Sequence, residues 1–164
     1  MEIYILRHGI AEESSRSGRD RDRELTVEGI EKTRAGGKAL RKLGVEFNLV
    51  LASPFARARK TAEIVAEELG CQGMLKECDA LASGESAAGV LAELKKAAPT
   101  HECVLLIGHE PDLSLLISIL LSGQPRLGIA MKKGGLCKLS CDSPEPGGAI
   151  LHWLLTAKLL EQMA

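Results

Sequence analysis

The sequence predicts an α/β fold in three layers, α/β/α, around a mostly parallel sheet. Short apolar runs with β-branched residues recur along the chain, and segments of helical length with one apolar stripe lie between them. Strands that alternate with helices form βαβ units, which place helices on both faces of a parallel sheet. Three of the predicted strands also end in polar residues able to bind or attack a ligand, arginine, histidine and serine.

The first run, Ile3 to Leu6, is too short for a helix and reads as a strand entering Arg7-His8-Gly9, where Gly9 lets the backbone turn. A stretch rich in Ser, Arg and Asp follows, Glu12 to Glu24; it cannot support a core and is expected to be the most mobile segment. Thr26 caps a helix from about Val27 to Leu43, with Glu28 favourable in its first turn and Gly44 beyond its end. Asn48 to Ala52 is the second strand. In SPFARARKTAEIVAEELG, Ser53 reads as the cap, Pro54 as the first helical residue and Gly70 as the stop. Ala62, Val65, Ala66 and Leu69 form the apolar stripe of that helix. Residues 71–84 read as an irregular connection, and Glu85 to Ala98 as a third helix ended by Pro99. Cys103 to Ile107 is a continuous apolar strand entering Gly108-His109, and Asp112 to Leu121 is a fourth helix before Gly123. Residues 135–141 and 149–155 read as two final strands around a Pro/Gly turn, followed by a short helix to Ala164.

Size and charge narrow the function. At 164 residues and 17.5 kDa the chain is expected to form one domain, 1–164, with a substantial core. A net charge of −1, with acids and bases interspersed, gives no basis for binding nucleic acid or a membrane surface. The four aromatic residues, Tyr4, Phe47, Phe55 and Trp153, are too scattered to stack on bases. Five cysteines without a Cys-x-x-Cys pair suggest reduced thiols, neither a zinc site nor a disulfide framework. With no signal-like apolar stretch after Glu2, and LSLLISILL too short to span a bilayer, the expected location is cytoplasmic.

The chemistry gathers at three strand ends: Arg7-His8-Gly9, Ser53-Pro54 with Arg57 one turn further on, and Gly108-His109-Glu110-Pro111. In open α/β sheets ligands sit outside the carboxyl ends of the strands, where these segments can meet. Two arginines and two histidines beside a helix N-terminus suit a phosphoryl group, because the guanidinium fork matches its oxygens and free N–H groups add donors. His101, His152, Arg59 and Lys60 read as ordinary surface or strand residues, Lys132-Lys133 as part of a turn, and Gly9 and Gly108 as turn glycines. A catalytic Cys103 is disfavoured, since an apolar strand penalises a thiolate.

LRHG, SPFARARKTA and GHEP, in that order, resemble the signature of the histidine phosphatase, or phosphoglycerate mutase-like, superfamily. The short length, RELTVEG at 23–29 and the insertion-free layout are similar to the SixA-type phosphohistidine phosphatases of bacteria. The resemblance implies that His8 is the nucleophile and that Arg7, Arg57 and His109 bind the equatorial oxygens. It adds Arg23, Gly9 and Ser53 as further phosphate-binding positions, and it implies no metal and no cofactor. An imidazole of ordinary pKa near 6.5 is largely neutral at pH 7 and can attack through a free lone pair.

Superfamily members that cleave phosphate esters commonly carry a carboxylic acid after the SPxxR helix, because an alkoxide leaves poorly. Here Glu77, Asp79 and Glu85, with Asp20 and Asp22 before the first helix, are the candidates, and none sits in a matching context. An imidazole leaving group needs less help, so a phosphohistidine-bearing signalling protein, such as a phosphotransfer domain, is the expected partner. The alternatives are small phosphate esters or, from another class, an inactive phosphate-binding module. With helix, connection, helix and strand filling the segment from Arg57 to His109, no residues remain there for a lid, and an open site is expected.

Overall fold

Strand register, more than any single contact, decides where the reactive side chains end up. The computed structural model describes residues Met1–Ala164. One six-stranded sheet is built from β1 (Glu2–Arg7), β2 (Leu49–Ala52), β3 (Leu75–Glu77), β4 (Cys103–Gly108), β5 (Leu136–Cys141) and β6 (Ala149–Leu155), in the order β3-β2-β4-β1-β5-β6. The four strands from β3 to β1 are mutually parallel, and β5 runs antiparallel to both its neighbours, β1 and β6, so the sheet is mostly parallel.

Both faces of the sheet are apolar, as a sheet covered on both sides requires. Ile3, Ile5, Leu49, Leu51, Val104, Leu106, Cys137 and Leu139 point to one face, where α3 (Ala87–Ala97) and α4 (Asp112–Ser122) supply Leu94, Leu113, Leu116 and Ile117. Tyr4, Leu6, Val50, Ala52, Leu105, Ile107 and Leu136 point to the other, against Leu40 of α1 (Val27–Lys42), Ala58, Ala62 and Val65 of α2 (Ala56–Leu69) and Leu160 of α5 (Ala157–Met163). This is the expected three-layer α/β/α arrangement. No helix is long and apolar enough to cross a membrane.

Most element boundaries fall within two residues of the sequence reading. Thr26 does cap α1, its Oγ1 accepting from Gly29 N–H at 3.0 Å. Three expectations are corrected. The connection at 71–84 contains the short edge strand β3, hidden because LKE is too brief and polar to show a strand pattern. Helix α2 begins at Ala56, two residues later than expected, so Ser53 is not its cap and Pro54 is not its first residue. Gly9 and Gly108 do not adopt positive φ, so neither position calls on glycine's conformational freedom. Gly9 is instead a point of close approach: a Cβ there would lie 2.6 Å from Thr33 Oγ1 and 3.1 Å from the Gly29 carbonyl on α1.

The connections from β1 and from β4 leave in opposite directions along the sheet, to β2 on one side and to β5 on the other. β1 and β4 are neighbours, so the crevice above their carboxyl ends is a topological switch point, the place where α/β sheets hold ligands.

Candidate active site

At that switch point Arg7 pairs with Gly108 in register, His8 N–H donates to the Gly108 carbonyl at 3.1 Å and Ser53 N–H to the Ile107 carbonyl at 2.9 Å. His8, Ser53 and His109 therefore stand at one level above three adjacent strands. Arg57 reaches the same point from the first turn of α2. The His8 and His109 rings are 5.1 Å apart, and Phe55 lies 5.0 Å from the His109 ring and 5.3 Å from the Arg57 guanidinium carbon.

The hydrogen bonds of His8 define its tautomer. Nδ1 is 2.7 Å from the Gly9 carbonyl, which can only accept, so Nδ1 carries the proton. Nε2 accepts from Arg57 Nε–H at 3.3 Å, which needs a lone pair on Nε2. Burial, more than the nearby His109 and arginines, lowers the His8 pKa to about 3, so the ring is neutral at pH 7. A neutral imidazole with an oriented Nε2 lone pair is a nucleophile ready to attack.

His109 is also held neutral, its pKa lowered by burial to about 4. Its Nε2 meets Ser53 Oγ at 2.7 Å, whereas its Nδ1 is buried without a partner. Arg7 shows the same pattern: Nη1 donates to the Met131 carbonyl at 2.8 Å, and the buried Nε has no partner. Buried polar groups are seldom left unpaired, and two nitrogens orphaned beside one nucleophile mark where a bound oxyanion would accept. No group of three or more His, Cys, Asp or Glu side chains is placed to hold a metal ion.

The remaining positions divide. Ser53 contacts His109, and Gly9 N–H is already committed to Thr61 Oγ1 at 3.1 Å, while Thr61 Oγ1 donates back to the Arg57 carbonyl at 2.7 Å. Arg23 donates to Asp20 Oδ1 at 2.8 Å and to the Glu12 carbonyl at 2.6 Å. Asp20 closes the link to the site: its carbonyl and Oδ2 accept from Arg57 Nη1 and Nη2 at 2.8 and 2.9 Å. The 12–24 segment is tied at its base by an Ala11–Leu25 bridge and lies over Arg57. The expectation of an uncovered site is thus corrected, because the covering residues precede α1, outside the segment between Arg57 and His109.

Of the candidate acids, Asp20 alone touches the site, and hydrogen bonds from Arg23 and then Arg57 hold its carboxyl below the usual range. Glu77 pairs with Arg59 at 3.6 Å, and Asp22, Asp79 and Glu85 are exposed. Sequence reasoning assigned nothing to Thr61 or to Glu110, whose Oε1 accepts from Ser114 N–H in α4 at 3.1 Å. The signal for Thr61 was its place four residues after Arg57 on one helical face.

A profile described as the histidine phosphatase superfamily (branch 1) matches residues 3–82, which include Arg7, His8 and Arg57 but not His109. An uncharacterized protein of Picosynechococcus sp. is 39% identical over 142 residues, 85% of this chain and 84% of that protein. A 2,3-bisphosphoglycerate-dependent phosphoglycerate mutase of Allorhizobium ampelinum is 41% identical over 54 residues, 33% of this chain and 26% of the mutase, so the match spans about a quarter of that enzyme. The structure of the protein histidine phosphatase SixA complexed with tungstate superposes with a TM-score of 0.89 at 26% identity, over 98% of this chain and 99% of that one. Since the matched stretch carries the neutral histidine with its Nε2 lone pair and the arginine that touches it, the chain belongs to the histidine phosphatase superfamily and is a phosphatase.

Proposed function

We propose that the chain is a phosphohistidine phosphatase that works through a phosphoryl group carried transiently on His8, and that its substrate is a histidine-phosphorylated signalling protein in the cytoplasm. The observation that carries the mechanism is the hydrogen bonding of His8, with Nδ1–H tied to Gly9 and the Nε2 lone pair free for phosphorus once Arg57 turns to the substrate. Nε2 bonds to phosphorus as the P–N bond to the substrate imidazole breaks, and that imidazole takes a proton from solvent. Water then displaces the phosphoryl group from Nε2, giving phosphate and restoring His8. Arg57, Arg7 Nε and His109 Nδ1 stabilise the oxygens in both steps, and each such donor is worth roughly 10² to 10³ in rate.

The choice of substrate rests on the leaving group. The one candidate acid at the site, Asp20, is held as a carboxylate by two arginines, which suits an imidazole that leaves without a protein acid. The SixA structure, with tungstate standing for a tetrahedral oxyanion, supports the same reading by likeness. Ester hydrolysis is the second reading, and Asp20 favours it only by its location. Turnover measured side by side on a histidine-phosphorylated protein and a panel of sugar phosphates tests the choice. Fast phosphohistidine turnover is expected, with acid-labile phosphate trapped on the enzyme after rapid quenching; faster turnover of a sugar phosphate would replace this reading with the second.

A further inference from the structure

We propose that Ser53 is a positioning residue that holds His109 in its Nδ1–H tautomer, leaving that N–H to donate to an oxygen of the bound phosphoryl group. Ser53 is 0% exposed, so its hydroxyl must find its partners within the protein. Its Oγ accepts from Phe55 N–H at 3.3 Å and lies 2.7 Å from His109 Nε2. A backbone N–H can only donate, so the hydroxyl proton has one acceptor within reach, the His109 ring nitrogen. Nε2 then carries the lone pair, and the single proton of the neutral ring sits on Nδ1. That is the atom the protein leaves buried and unpartnered.

The other tautomer would give Ser53 no acceptor and would aim a lone pair from Nδ1 toward anionic oxygens. The charged and titratable groups around the ring come from every side: Arg7 from the end of β1 and His8 just beyond it, Arg57 from α2 and Asp20 from the loop before α1. The two histidines thereby share one tautomer and use it in opposite ways. A carbonyl fixes His8 so that Nε2 can attack, and a hydroxyl fixes His109 so that Nδ1 can donate. Sequence placed Ser53 among the phosphate-binding positions; the geometry moves it one layer back.

Long-range proton–nitrogen correlation spectra of the full chain, with ¹⁵N-labelled histidine, read the tautomer directly and do not depend on any substrate. Wild type is expected to show a protonated Nδ1 and an unprotonated Nε2 at His109. In Ser53→Ala, Nε2 should gain the proton in a sizeable fraction of molecules, and kcat on a histidine-phosphorylated protein should fall by at least about tenfold, up to the 10² to 10³ of a full donor. Wild type with the proton on Nε2, or Ser53→Ala with the wild-type pattern, overturns the proposal. The catalytic half rests on the phosphohistidine reading. A tautomer shift with unchanged kcat would overturn that half alone, and wild type inactive on phosphohistidine but with the expected spectrum would count against the substrate reading instead.

Discussion

The site has two halves that are held in different ways. His8, Ser53, Arg57 and His109 are each 6% exposed or less and are set by strand register and the first turn of α2. Asp20 and Arg23 sit on a loop, with side chains 55% and 24% exposed, joined to each other and to Arg57 by ion pairs. Backbone hydrogen bonds in a packed sheet fix the strand ends that carry the first half, as phosphoryl transfer by alignment requires. Asp20 is half-exposed and regains water when it leaves Arg57, so the second half can let go of the first once another anion takes its place. The fold therefore separates the groups that do chemistry from the groups that cover it.

The sharpest way to test this division is to remove groups from the strand-end half. His8→Ala deletes the imidazole whose Nε2 lone pair faces Arg57 and is proposed to attack phosphorus, so phosphatase activity should vanish, with the far-ultraviolet circular dichroism unchanged. Residual turnover near wild type would mean that the nucleophile lies elsewhere. Arg57→Lys keeps the charge but loses the fork that now reaches His8 and Asp20 through three nitrogens. A drop of roughly 10² to 10³ in kcat is expected; a change within twofold would contradict the arginine's role at the oxygens.

The halves should also differ in their response to pH, because residues 12–24 contain no histidine. In the folded chain His8 titrates near 3 and His109 near 4, with burial the main cause for both. Unfolded, both titrate near 6.5. Between these values the unfolded chain binds protons that the folded chain refuses, so this contribution is fully present above pH 6.5 and is lost as the pH falls toward 4 for His109 and toward 3 for His8. Lowering the pH from 7 to 5 should cost about 2 kcal/mol for each histidine, read from urea unfolding at the two values. His8→Gln should remove about half of that dependence. An unfolding midpoint that does not move between pH 7 and 5 would show that the rings are not buried as described.

The strand-end half was legible in the sequence and the loop half was not, for a physical reason. Residues at the ends of strands inherit their position from the sheet, so an apolar run before Arg7-His8, before Ser53 and before Gly108-His109 is enough to bring them together. Asp20 and Arg23 depend on side-chain pairing within a polar loop, and no periodicity records which carboxylate finds which guanidinium. Asp20 was therefore visible as a possible acid but not as the partner of Arg57. β3 escaped for a related reason: its three residues are placed by pairing with Val50, Leu51 and Ala52, and their own pattern does not announce a strand. Ser53 shows an intermediate case, where the position was legible and the partner was not.

The smallest expected effect comes from the loop half, and its sign is what matters. Two of the three Arg57 nitrogens are engaged by Asp20, so a phosphoryl group that binds Arg57 through its fork must first displace that residue. Asp20→Ala removes the competing carboxylate, although the backbone carbonyl can still accept. KM for the phosphorylated substrate, and the inhibition constant of inorganic phosphate, should fall about two- to fivefold, a modest gain because the displaced Asp20 carboxylate is half-exposed and regains water. kcat should change little, since the strand-end half is untouched. Arg23→Ala should act in the same direction but more weakly, because Arg57 retains its hold on Asp20 when Arg23 is gone. If Asp20→Ala instead raises KM, the loop presents Arg57 to the substrate and does not compete for it, and the two halves work as one.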